Sequence, residues 1–566
     1  MEQRQTFNER SVTLPGDSTV GSFSLTPPWL VDLDKLEWLG QTPNLRVRTH
    51  EELPRLIRKR RIPPLRRFLW TGLILGNAIG RWWLIDRRKG TTVSRAGLSH
   101  RLRDAFEVLG PTYIKLGQIL SSGNGIFPDE LVNEFKSLRD QVKPESFDKV
   151  RTTVESDLGR ELEEIFSEFD STPLAAASIA QVHQARLRSG EEVVVKVQRP
   201  RVAELVRRDL AAMSWIAPIL VGRIPIAALA NPPALVELFA ETIIEELDFR
   251  LEAANMIDIS TILAKTDQRA LVVPRPHPRY VTRRVLIMEK LSGFNWDDIS
   301  GMVDAGIDTA QVVRAGMVAF MEGAMVHGVF HGDLHGGNLL VLSTGEVGLL
   351  DYGITGRLTE KKRLAFLRLL IGGTINDVRL QVAALRDMGA LPEDTDLEAV
   401  VSELGLDGPP IDPTSLSPDE LISEIRNLTK ALLGFGARMP KELMLFVKNM
   451  IFLDSSMVSL APDLDLFAEI TFLATYFTSK YGDQISKDVG VDLASTPIDL
   501  IGVKGSLGIP SDVETLTYKE LVERRELIRK RMESNQAGRR VDPKDRWTKK
   551  FSTRLLSQVK DLTKRR

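Results

Sequence analysis

Two short stretches gather side chains that could handle phosphate and a divalent metal ion. "HGDLHGGN" (331–338) holds two of the chain's seven histidines, an acid and an amide among three glycines. Thirteen residues after Asn338, "LLDYGITG" (349–356) supplies a second acid, Asp351. One carboxylate and one amide oxygen, completed by phosphates and water, suit magnesium. A further carboxylate, Asp333, could orient an attacking hydroxyl and take its proton. Phosphoryl transfer asks for this kind of positioning and charge neutralisation more than for covalent chemistry.

The spacing agrees with that chemistry. His331, Asp333 and Asn338 follow the H-x-D-x4-N order of a protein-kinase catalytic loop, and Asp351-Tyr352-Gly353 follows its later D-x-G. A glycine-rich turn that caps helices would explain "HGD" alone, but neither the Asn spacing nor "LLDYG". A kinase also needs a lysine for the α- and β-phosphates and a glutamate to hold it. Lys196, in "VVVKVQRP", lies on a predicted strand over 191–198, after a strand over 177–187 and the hairpin "RSG" (188–190). An isolated strand lysine is usually just exposed; here it follows "PLAAAS" (173–178), where a phosphate-covering loop would sit. Glu252, in a following helical stretch (234–256), is its candidate partner. Glu289, on a strand predicted over 283–291, falls at the adenine-side hinge, where backbone rather than side chain would bind the base.

Around these residues the pattern predicts an α+β, two-lobed arrangement. Residues 1–95 read as an extension with a basic and aromatic run, and 96–150 as a helical segment. In it Leu98, Leu102, Phe106 and Leu109 share one face. A strand-rich lobe with one long helix spans 151–300. A helical lobe spans 301–480, and a charged tail covers 481–566. A short strand, "EVGLLD", would deliver Asp351 to the cleft.

Composition narrows the classes. The chain has 566 residues, 43% hydrophobic and 27% charged, with net charge -1. That is an ordinary globular balance and gives no global pull toward nucleic acid. No cysteine is present, which excludes disulfides, thiolate metal sites and cysteine nucleophiles. "MEQRQTFNER" has no apolar core, so no secretory signal is expected. The stretch 211–230 carries Pro218, Arg223 and Pro225 and reads as buried core rather than a membrane span.

Four features together resemble the UbiB/AarF family of atypical, protein-kinase-like proteins, over about residues 95 to 480. They are K-x-G-Q in "YIKLGQIL" (Lys115, Gly117, Gln118), the alanine loop (Ala175, Ala176, Ala177, Ser178), E-x-D in "EELDFRLEAAN" (Glu246, Asp248, then Glu252 and Asn255), and the two phosphate-handling motifs. The resemblance implies a protein-kinase-like fold that binds ATP (or ADP) with Mg2+. Its K-x-G-Q segment would fold over the cleft so that Lys115 and Gln118 meet Glu246 and Asp248. It would support isoprenoid quinone or lipid metabolism at a membrane. Two departures stand out. "SSGNGIFPDEL" (121–131) lacks the family's usual arginine. "HGDLHGGN" stands where "HADPHPGN" is common, a spelling nearer aminoglycoside- and choline-kinase-type phosphotransferases. A small-molecule phosphotransferase and a nucleotide-sensing scaffold with little turnover therefore stay as alternatives.

The edges suggest a surface. Arg55, Arg58, Lys59, Arg60, Arg61, Arg66 and Arg67 lead into Phe68, Leu69 and Trp70, then Trp82 and Trp83. In the last stretch Phe551, Leu555, Val559 and Leu562 share a helical face among basic residues. Both suit an anionic membrane, peripheral to a cytoplasmic protein.

Overall fold

The computed structural model describes residues 33–58, 64–89, 91–121, 129–139, 143–220, 232–406, 431, 434–437, 440–490, 499–506 and 509–527. Lys59, Arg60 and Arg61, residues 122–128, 221–230 and the basic stretch 549–566 lie outside them.

Helices α1 (Thr42–Ile57), α2 (Leu65–Ile85), α3 (Thr91–Leu109), α4 (Pro111–Ser121) and α5 (Asp129–Lys136) come first, then α6 (Phe147–Leu158) and α7 (Leu162–Ile165). Strands β1 (Phe166–Phe169), β2 (Ala175–Ala176), β3 (Ala180–Leu187) and β4 (Glu192–Gln198) follow. After them come α8 (Val202–Leu220), α9 (Pro232–Glu245) and α10 (Phe249–Lys265). Strands β5 (Leu271–Val272), β6 (Pro276–Val281), β7 (Val285–Glu289) and β8 (Phe294–Asn295) lead to α11 (Ile299–Asp304) and α12 (Thr309–Glu322). The remainder is β9 (Val329–His331), β10 (Leu339–Val341), β11 (Val347–Leu349), β12 (Thr355–Arg357), α13 (Glu360–Thr374), α14 (Val378–Asp387), α15 (Leu397–Glu403), α16 (Lys441–Leu460), α17 (Leu466–Val489) and α18 (Leu500–Ser506).

The small lobe is an antiparallel sheet in the order β1-β3-β4-β7-β6, with β2 on β3. Strand alternation sorts its two faces. Val193, Val195 and Val197 pack with Val150, Val154, Leu162 and Ile165 of α6 and α7. Such burial stabilises by about 1.5–3 kcal/mol per side chain. The alternate positions, Val194, Lys196 and Gln198, therefore face α10. The α+β, two-lobed reading holds.

Three local expectations change. The helix read over 234–256 is two helices. Asp248 breaks it: its backbone is extended (φ -136°), and its side chain accepts the Arg250 N–H as the N-cap of α10. The helical lobe carries two further sheets, β5-β11-β10-β8 and β12-β9. β11 is the strand expected before Asp351, but its partners are two or three residues long and show no readable period. The charged tail is partly core: Ile509, Leu516, Tyr518 and Leu521 are buried in the main cluster. The basic run is also not uniform. Arg67 pairs with Asp209 of α8 (Nη2–Oδ2 3.1 Å), which is fully buried. In 211–220, Ala212, Met213 and Ala217 are buried, whereas Pro218 and Ile219 are exposed, so the buried-core reading holds only for part of the described stretch.

Candidate functional site

Lys196 and Glu252 meet where the small sheet faces α10. Nζ lies 2.7 Å from Glu252 Oε1 and 3.3 Å from Asp351 Oδ2. Asn255, one turn after Glu252, donates to the Tyr352 carbonyl (2.9 Å), and the Tyr352 N–H reaches Glu252 Oε1 (3.4 Å). Asn255 Oδ1 in turn accepts from Arg46 of α1 (2.9 Å) and Arg357 of β12 (2.8 Å). The α10 helix is thus tied to the segment that carries Asp351. Burial opposes a charged Lys196, but Asp351 and Glu252 outweigh it and raise the ammonium's pKa. Burial pushes Glu252 up to about 7. Burial opposes the Asp351 carboxylate too, yet Lys196, Lys115 and the Gly353 N–H hold it well below the usual range.

The catalytic-loop candidate is pinned from three sides. His331 Nε2 meets the Asp351 carbonyl, Leu350 N–H donates to Asn338 O (2.9 Å), and Gly332 N–H donates to Ile354 O (2.9 Å). Asn338 Nδ2 donates to the Asp333 carbonyl (3.1 Å), which holds the amide beside the acid. Asp333 is in contact with Lys448 of α16, with His335 Nε2 at 3.9 Å. Burial opposes its charge, but Lys448, His335 and Lys115 hold its pKa well below normal. Neither Lys448 nor Asn449, which also clasps this loop, was anticipated from sequence. Their signal is faint: they are the polar pair in the apolar run 443–453.

The remaining expected residues separate. Lys115 Nζ lies 2.8 Å from Glu246 Oε1. Burial opposes its charge, but Glu246, Asp333 and Asp351 together raise its pKa. Burial raises Glu246 in spite of Lys115. Gly117 seats α4 against the Leu138, Phe106 and Phe135 side chains, which a Cβ there would meet. Gln118 donates to the Leu138 carbonyl (3.3 Å). Asp248 pairs with Arg250 (2.7 Å) besides capping α10, a correction to its expected place in the Lys115 contact. A Cβ on Gly353 would fall 3.2 Å from Glu246 Cγ, so the D-Y-G glycine admits the close approach of Glu246.

Ala175 and Ala176 pair with Val182 and Gln181, and Ala177 N–H closes a tight turn on Ala180 O (2.8 Å). Ser178 is buried under that turn. Glu289 ends β7; its N–H donates to the Arg275 carbonyl (2.9 Å) and its side chain turns inward to Arg275 (3.4 Å). Among the described residues no three His, Asp or Glu side chains cluster to hold a metal alone. Asn338 and Asp351 fit a magnesium ion that takes its other ligands from phosphates and water.

A model of the ABC1 atypical kinase-like domain matches residues 137–384. An uncharacterised protein of Mycobacterium tuberculosis is 34% identical over 373 residues, 65% of this chain and 76% of that one. A probable protein kinase UbiB of Aeromonas hydrophila is 31% identical over 410 residues, covering 71% and 73%. An uncharacterised aarF domain-containing protein kinase of Arabidopsis thaliana, chloroplastic, is 30% identical over 445 residues, covering 72% and 82%. The chain belongs to the UbiB/AarF family.

In this UbiB/AarF protein the D-x-G middle residue is a tyrosine. Tyr352 is fully buried against His331 (ring centroids 5.4 Å), and its hydroxyl has no hydrogen-bond partner among the described residues. Burial keeps the phenol protonated, with its pKa well above 10. An unmet buried hydroxyl costs about 1–3 kcal/mol. Tyr352→Phe should therefore raise the thermal unfolding midpoint by removing that cost. A lowered midpoint would show that the hydroxyl has a partner.

Proposed function

We propose that this UbiB/AarF protein is an atypical kinase or ATPase that uses Mg-ATP and works against a membrane surface, in isoprenoid quinone or lipid metabolism. One observation supports the nucleotide reading: Lys196 contacts both Glu252 and Asp351, the Asp333–Asn338 loop is joined through the Asn338 amide's hydrogen bond, and Lys115 lies close enough to feel both Asp333 and Asp351. In the reaction Lys196 would contact phosphates and Glu252 would hold Lys196. Asp333 would orient the acceptor or water and accept its proton. Asn338 and Asp351 would hold magnesium, which supplies charge neutralisation at the phosphates. Ala175, Ala176, Ala177 and Ser178 would cover the nucleotide with less backbone freedom than glycines allow. A small-molecule phosphotransferase needs an open cleft, and the Lys115–Glu246 pair weighs against that alternative.

The membrane reading is supported by α2. Leu65, Leu69, Leu73, Trp83 and Leu84 are exposed along it, with Arg66, Arg81, Arg87 and Arg88 at its ends. Soluble surfaces rarely leave such a face bare, and arginine beside tryptophan suits anionic headgroups. Among the described residues one helix, α16, is long and apolar enough to cross a membrane. It carries Lys448 and Asn449 and lends Leu443, Phe446 and Leu453 to the core.

Single-turnover assays with labelled ATP test both parts. Mg-dependent turnover should be slow and should rise with anionic liposomes containing an isoprenoid lipid. Leu69→Glu with Leu73→Glu should lose the rise and keep the basal rate. Nucleotide binding without turnover in any condition would leave the scaffold reading. Turnover indifferent to liposomes would remove the membrane.

A further inference from the structure

The catalytic loop brings no lysine or arginine of its own. Between Asp333 and Asn338 stand Leu334, His335, Gly336 and Gly337. Phosphoryl transfer spreads negative charge over three equatorial oxygens, and a fixed positive group beside them lowers the barrier. Lys196 is engaged across the cleft by Glu252 and Asp351. At the loop itself the cation comes from α16: the Lys448 ammonium contacts Asp333 Oδ1. The two side chains are 16% and 22% exposed, so the pair is sheltered but not sealed from solvent.

The placement of Lys448 is fixed by its neighbour. Asn449 is fully buried. Its amide nitrogen donates to the His331 carbonyl, and its amide oxygen accepts the Leu334 N–H (3.0 Å). These two bonds grip the loop on either side of Asp333. The α16 helix therefore holds the acid's backbone through one residue and presents a cation to its carboxylate through the residue before it.

We propose that Lys448 is the cation that reads the terminal phosphate. With the cleft empty it rests on Asp333; with Mg-ATP bound it is shared between Asp333 and the γ-phosphate. The proposal rests on the Mg-ATP reading. In the transfer step the acceptor oxygen bonds to the γ-phosphorus as the bond from that phosphorus to the bridging oxygen breaks. ADP leaves, and the acceptor proton passes to Asp333. Drawing Lys448 toward the phosphate frees Asp333 for that proton. The same contact distinguishes ATP from ADP, because ADP lacks the group Lys448 would meet.

Titration of the full chain with Mg-ATP and with Mg-ADP tests this without requiring turnover. Lys448→Met should lower the ratio of ATP to ADP affinity about tenfold, as expected for one charge-assisted contact to phosphate. ADP affinity should hardly move. Lys448→Arg should restore most of the ratio. Because Lys448→Met leaves a sheltered carboxylate unpaired, Lys448→Met with Asp333→Asn is the second variant. It should unfold at the wild-type midpoint, and its ratio of ATP to ADP affinity should lie about tenfold below that of Asp333→Asn alone. Equal loss of both nucleotides, or an unchanged ratio, would make Lys448 a counter-charge and overturn the proposal. So would unfolding of both Met variants while Lys448→Arg folds without ATP preference. If the wild-type protein binds neither nucleotide, the Mg-ATP reading itself falls, a result visible before any variant is made.

Discussion

Asp351→Asn is expected to abolish the magnesium-dependent part of ATP binding. Asp351 is the carboxylate that shares Lys196 with Glu252 (3.3 Å and 2.7 Å from Nζ). Its low pKa keeps it charged at any working pH. Bringing a polyphosphate beside the Asp351 and Asp333 carboxylates without a metal ion sets like charges together. Among the described residues no cluster of His, Asp and Glu holds the metal alone, so metal and nucleotide should bind as a unit. At a ligand concentration of 100 times Kd, wild type should gain about 2.7 kcal/mol of stability from Mg-ATP. It should gain almost nothing from ATP with chelator. The asparagine variant should lose the magnesium-dependent gain. With chelator it should match or exceed wild type, since one repelling charge is gone. Thermal unfolding in the four combinations decides it, and equal stabilisation in all four would remove the metal assignment.

Breaking the Lys115–Glu246 contact is the second change with a large expected effect. The pair joins α4 to the turn between α9 and α10 at 2.8 Å, and Lys115 also feels Asp333 and Asp351. An ammonium in that position competes for the negative field a metal-bound nucleotide would use. Lys115→Ala should raise Mg-ATP affinity and autophosphorylation, each by about tenfold, if the closed contact holds 1.4 kcal/mol of bias. Glu246→Lys should do likewise. Because both residues serve one contact, the double variant should fall short of the sum by about 0.5–3 kcal/mol. Asp248, occupied by Arg250 and the α10 cap, should show no such coupling with Lys115. Full independence of Lys115 and Glu246 in affinity and autophosphorylation would show that their contact does not restrain the site.

The motifs proposed to handle phosphate were legible because their spacing is local. Asp333 and Asn338 stand on one loop, and Asp351 is carried by a short strand whose apolar run is visible. Lys196 alternates with buried valines, so strand period alone turns it away from the small-lobe core. The Lys196–Glu252 pairing was inferred from chain order, and the fold brings the two side chains to 2.7 Å.

What sequence by itself could not decide were contacts between residues far apart in the chain and polar residues hidden in apolar runs. Lys448 and Asn449 look like interruptions of a core helix until α16 is laid beside the loop. Arg67 looks like one more surface arginine until Asp209 of α8 closes on it. Asp248 looks like half of an acidic motif until a break in a continuous apolar pattern makes it a cap. Local periodicity determined the elements and the acid, amide and lysine types at the site. Only tertiary packing decided which buried charge each of them would face, because a charge removed from water must find its partner wherever the fold delivers one.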